Sequence, residues 1–82
     1  MRIPRDLSAD QLINLLIKKL DFAVTRQVGS YIRLCTNYTG EEYRITIPNH
    51  SFIKIGTLNA ILNEIANYLG INKDELIKKL FA

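Results

Sequence analysis

A single cysteine, Cys35, and a single histidine, His50, are the scarcest chemistry-bearing residues of the chain. One cysteine makes no intramolecular disulfide and no cysteine-based metal site, so the fold rests on packing alone, as is usual inside a reducing cell. One histidine does not build a metal site by itself, and no Ser-His-Asp order is legible. There is no glycine-rich phosphate loop, and the eight acidic residues are scattered rather than paired. No apolar run approaches the roughly 20 residues that a membrane span needs. The opening MRIPRDLSAD has two arginines but no apolar signal region. These absences predict a cytoplasmic protein without membrane association, metal or small-molecule cofactor.

The balance of 48% hydrophobic and 23% charged residues is that of a globular chain rather than a disordered one. With 82 residues, it is read as one domain over 1–82, since a chain of this size has apolar surface for a single core only. The formal charge of +3 favours an anionic partner without identifying one.

Ser8-Ala9-Asp10-Gln11 is an S-x-x-Q capping box, and Leu7 and Leu12 fall at the staple positions around it. The spacing predicts a helix over about 9–20, with Leu12, Ile13, Leu16, Ile17 and Leu20 on its apolar face. From Phe22 to Ile47 the period changes to two. Phe22 and Val24, then Ile32 and Leu34, then Tyr43, Ile45 and Ile47 fall at the inward positions of a three-stranded meander. Gly29-Ser30 and Asn37-Tyr38-Thr39-Gly40 make its turns, and Pro48 ends it because proline cannot donate to a ladder. Thr57 is the expected cap of a second helix over about 58–69, closed by Gly70. A second capping box, Asn72 to Glu75, opens a short C-terminal helix over 71–82.

The order predicts an α+β fold, α-β-β-β-α, with helices on one face of a three-stranded antiparallel sheet plus the terminal helix. The other face is then open and displays Tyr31, Arg33, Arg44 and Thr46, with Thr25 and Gln27 beside them. Two guanidinium groups next to a ring can hold phosphate oxygens and stack a base. They can equally form a solvated face on which Arg33 pairs with Glu41 or Glu42. Lys54-Ile55-Gly56-Thr57 offers helix N–H groups and a nearby cation to an anion, or simply a turn and a cap. His50 is the one side chain type here that titrates near neutrality. It reads either as a catalyst or as a local hydrogen-bonding residue. Lys18-Lys19 and Lys78-Lys79 read as solvated helix faces, and Cys35 as a small sheet residue.

Four features taken together resemble the HicA (YcfA-like) toxins over about residues 8–70: the first helix, the Gly29-Ser30 strand opening, Ile47-Pro48-Asn49-His50, and Lys54-x-Gly56-Thr57-Leu58 with Ile61-Leu62. The resemblance implies a fold like the double-stranded-RNA-binding domain and metal-independent mRNA cleavage. It also implies RNA as a partner, together with a HicB-like antitoxin that covers the active surface. The family's catalytic histidine follows its Gly-Ser pair, and here that position is Tyr31, with Ile32 after it. A phenol ionises about 3.5 pH units above an imidazole and is a poor base at neutral pH. The expected catalytic candidates are Tyr31 and His50, and the expected RNA contacts are Gly29, Ser30, Tyr31, Arg33, Arg44, Lys54 and Thr57. Two readings stay open: an mRNA interferase with a divergent site, and a non-catalytic RNA-binding or protein-interaction module.

Overall fold

The computed structural model describes residues 6–81. Its elements are α1 (Ala9–Leu20), β1 (Ala23–Val28), β2 (Tyr31–Thr36), β3 (Tyr43–Pro48), α2 (Ile55–Leu69) and α3 (Lys73–Phe81). This is the expected α+β order with an open three-stranded sheet.

α1 starts where its capping box requires. The Ser8 hydroxyl accepts from the Gln11 backbone N–H at 3.1 Å, and the Gln11 side-chain Oε1 accepts from the Ser8 N–H at 3.0 Å, while Leu7 and Leu12 are both buried. The helix ends at Asp21, whose φ of 56° lies in the left-handed region that Asp tolerates better than most residues. Leu12, Ile13, Leu16 and Leu20 form the buried stripe, and Ala9 extends it. Ile17 does not join them: it lies at the margin of the stripe and stays 40% exposed.

The strands pair antiparallel in the order β1-β2-β3. Gly29 takes φ 59° and Val28 faces Tyr31, so Gly29-Ser30 is a two-residue hairpin loop with glycine at its first position, the arrangement of a type II′ turn. In β2 and β3 the alternation holds: Ile32, Leu34, Ile45 and Ile47 are buried, whereas Tyr31, Arg33, Arg44 and Thr46 are exposed. Leucine and isoleucine side chains of α1, α2 and α3 complete the core with these strand residues.

β1 departs from the period-two reading in two ways. All six of its residues are exposed, and Val24, expected inside, is 49% exposed because the strand lies beyond the helices that cover its neighbours. A bulge at Thr25 also interrupts the ladder, so that Val24 faces Leu34 but Arg26 faces Arg33 and Gln27 faces Ile32. One extra residue reverses every later side chain. Gln27 therefore shares the helix side with Ile32, and the open face receives Arg26 and Val28 instead.

α2 begins three residues earlier than its spacing suggests, at Ile55 rather than Leu58. Lys54 is the N-cap, and its carbonyl accepts from the Leu58 N–H at 2.9 Å. Thr57 is thus a first-turn residue and not the cap: the turn closes early on the Lys54 carbonyl, and no side chain caps it. The far end behaves as expected, with Gly70 at φ 73° and the Ile71 N–H returning to the Ala66 carbonyl. The second capping box is half formed, since the Glu75 N–H donates to Asn72 Oδ1 at 2.8 Å without the reciprocal bond.

Candidate nucleic-acid interface

The Gly29-Ser30 turn, the start of β2 and the end of β3 meet at one corner. Tyr31 lies between Val28 and Pro48 across the strands, and the Asn49 N–H donates to the Ser30 carbonyl at 2.7 Å. The Tyr31 ring faces away from the helices and is 58% exposed. His50 follows Asn49 directly, two residues beyond Pro48, the cross-strand partner of Tyr31. Its backbone is committed: its N–H donates to the Pro48 carbonyl at 2.9 Å, and its carbonyl accepts from the Ala9 N–H, the first of α1, at 3.0 Å. Its ring is exposed and, among the described residues, neither that ring nor the Tyr31 hydroxyl forms a hydrogen bond.

From that corner the open face continues toward the β2–β3 turn. Arg33 follows Tyr31 at about 7 Å along the strand, and both are exposed. Arg26, Arg33 and Arg44 line a shallow groove of about 290 Å³ with Thr25, Cys35 and Glu42. Arg33 does not pair with Glu41 or Glu42. The acid goes to Arg44 instead, with Glu42 Oε2 at 2.9 Å from Nη2 and 3.1 Å from Nε. Among the described residues Arg26 and Arg33 have no carboxylate partner. Cys35, half-buried, is one wall of this groove and carries a free thiol.

Beyond Arg44 the sign changes. Glu41, Glu42 and Glu64 border a second depression of about 600 Å³, with Tyr43 and Tyr68 in its wall. The two rings stack with centroids 4.6 Å apart, and the Tyr68 hydroxyl accepts from the Thr39 N–H and donates to the Glu41 carbonyl. That clamp holds the β2–β3 turn. Burial, and secondarily Glu64, push the Tyr43 phenol above its ordinary ionisation range. The face thus grades from an apolar and aromatic corner, through uncompensated cations, to an acidic end. A polyanion is attracted to the second part and repelled from the third, and the first offers a stacking surface beside the cations.

Lys54 and Thr57 belong to a separate element, the start of α2, joined to β3 through residues 49–54. The N–H groups of that first turn have no side-chain cap and no acidic residue beside them. Phe52, 65% exposed and two residues before Lys54, adds a ring there. Sequence reasoning missed Arg26 and Phe52. The first was hidden by the bulge, whereas the second was legible as an aromatic in an irregular polar segment.

A family model described as the HicA toxin of bacterial toxin-antitoxin matches residues 9–66, well over half of the chain. No curated protein and no solved structure gives a significant match. Among the described residues no helix is long and apolar enough to cross a membrane.

Proposed function

The chain belongs to the HicA toxin family of bacterial toxin-antitoxin systems, and we propose that it binds RNA through the Tyr31 corner and the arginine-bearing open face. The observation that supports this most is the combination of an outward ring and unpaired guanidinium groups on one uncovered sheet face. Arginine forks match phosphate oxygens, and a tyrosine ring stacks on any base. Gly29 and Ser30 form the turn that presents Tyr31, while Lys54 and Thr57 offer a second anionic contact at the start of α2. A HicB-like antitoxin is the partner that would silence the chain by covering this same face.

Metal-independent RNA cleavage forms a bond from the 2′-oxygen to the adjacent phosphorus and breaks the bond to the 5′-oxygen. A base must take the 2′-hydroxyl proton, another group must protonate the leaving oxygen, and cations must stabilise the charge that builds on phosphate. The cations are on the open face. The base is the weak part, because Tyr31 stands where the family's histidine acts. In this reading Tyr31 stacks on or hydrogen-bonds RNA, and the chain binds RNA with little or no cleavage. His50, two residues beyond the cross-strand partner of Tyr31, is the remaining candidate base.

The test is RNA binding and cleavage by purified protein in the presence of a chelator. The wild type is expected to bind RNA in a salt-dependent manner and to cleave it weakly or not at all, with activity gained in Tyr31→His. Strong cleavage by the wild type that survives Tyr31→Phe and disappears in His50→Ala would transfer the catalytic role to His50. Absence of RNA binding would favour a protein-interaction module on the same surface.

A further inference from the structure

We infer that Arg26 and Arg33 form a two-pronged clamp for a single phosphate group on the open sheet face, and that Arg44 takes no part in it. The bulge at Thr25 makes Arg26 the direct cross-strand partner of Arg33. Direct partners have Cβ atoms about 4.5–5.5 Å apart, and like charges in that arrangement repel. Ordinarily such a pair is avoided or neutralised by a nearby carboxylate. Here both residues line one groove, and among the described residues neither has an acidic partner. A phosphate between the two forks would remove the repulsion and accept charge-assisted hydrogen bonds from both.

Arg44 differs although it lines the same groove. Glu42 engages it through both Nε and Nη2, and so neutralises it and turns a carboxylate toward that end. An oxyanion is thereby confined to the Arg26–Arg33 side. The Thr25 hydroxyl is occupied with the Arg33 carbonyl at 3.3 Å, which ties the bulge to β2 beside the clamp. Along the same face the neighbouring row is Val28–Tyr31–Pro48. A nucleic-acid strand gripped at the clamp would therefore lay an adjacent base against the Tyr31 ring. That the phosphate belongs to RNA rests on the function proposed above, whereas the clamp itself does not.

The experiment is an exchange that preserves charge, R26Q/Q27R in the full chain, which moves the guanidinium to the helix side and leaves net charge unaltered. Inorganic phosphate is titrated while the Arg side-chain Nε–H resonances are followed by NMR. A single-stranded RNA oligonucleotide is titrated at two salt concentrations, with Arg26→Gln and the charge-neutral double variant R44Q/E42Q as companion variants. Phosphate is expected to shift Arg26 and Arg33 together and to leave Arg44 in place. The exchange and Arg26→Gln should each weaken RNA binding about tenfold, the scale of one lost hydrogen bond to a charged group. They should also flatten the salt slope by about 0.7, the single-strand value for one phosphate. Removing the neutralised pair together, in R44Q/E42Q, leaves net charge unaltered and should change affinity by no more than about twofold, because the two charges already cancel each other at that end of the groove.

Wild-type RNA affinity in the exchanged variant, together with Arg26 and Arg33 resonances of the wild-type protein that phosphate does not move, overturns the clamp while leaving RNA binding intact. Shifts of Arg26 and Arg33 with phosphate in a protein that binds no RNA uphold the clamp and overturn the RNA reading. If the exchange abolishes binding of a polyglutamate peptide but not of RNA, the site serves an acidic protein partner and the phosphate assignment falls.

Discussion

β1 and β3 are both six-residue edge strands, and each pairs antiparallel with β2, yet they obey different rules. In β3 Ile45 and Ile47 are buried and the alternation is unbroken; in β1 no residue is buried and a bulge reverses the faces partway along. The core accounts for the difference. A strand that buries one face cannot slip without exposing its isoleucines, so its register is strongly specified. A strand that overhangs the helices is free of that constraint. Its backbone can accommodate an inserted residue, and its side chains can be arranged for a partner rather than for packing. In this chain β3 anchors the fold and β1 supplies a guanidinium to the surface.

Deleting one residue from each strand should break the symmetry most forcefully. Loss of Thr46 forces Ile45 or Ile47 off the core side, and removal of one such side chain from a core costs about 2–5 kcal/mol. Loss of Thr25 removes the unpaired bulge residue and leaves the pairing of Arg26 with Arg33 intact, so stability should change by no more than about 1 kcal/mol. Urea unfolding followed by circular dichroism measures both, and equal destabilisation would show that β1 is held as tightly as β3.

Truncation probes the same contrast more gently. Ile45→Ala should cost about 2–4 kcal/mol, as expected for a buried isoleucine, whereas Val24→Ala at a half-exposed position should cost about 0.5 kcal/mol. A Val24→Ala cost approaching that of Ile45→Ala would mean that β1 is packed in solution, which chemical denaturation of the two variants would reveal.

The smallest effect concerns pH. Tyr43, at the start of β3, has its phenol raised by burial and by Glu64, while the only titratable side chain of β1 is Arg26. A raised folded value means that the unfolded chain loses this proton first. The contribution is therefore complete below the ordinary phenol range near pH ~10 and is lost as pH rises through the higher folded value. The difference in thermal stability between wild type and Tyr43→Phe should consequently shrink with rising alkaline pH in a way that a Val24 variant does not reproduce. A difference that stays constant would refute the assignment.

Much of this architecture was legible because its signals are local. The Ser8–Gln11 box, the Leu7 and Leu12 staple, the Gly29 turn and the Gly70 terminus each act within a few residues of one another. Each takes the expected place in the fold, the two staple leucines as buried residues of the core. The alternation in β2 and β3 was equally readable, since burial on one side imposes it. Thr57 misled because a good capping residue stood near a helix start, whereas the chain closed its first turn on the Lys54 carbonyl. Gln27 misled because alternation was extended through a bulge that leaves no mark in composition. The family assignment was carried by short motifs, and the match over residues 9–66 agrees with it.

By itself, then, the sequence determined the element order, the buried side of two strands, the family, and the presence of Tyr31 behind its Gly-Ser turn. Those follow from interactions among near neighbours in the chain and from the requirement that apolar residues leave water. Only the tertiary structure decided that Arg26 stands opposite Arg33, that Glu42 is spent on Arg44, and that the chain beyond Pro48 ties His50 to the first turn of α1. Each of these depends on which strand a helix covers and where a ladder takes up an extra residue. Such choices are made by contacts between distant segments, and no spacing along the chain records them.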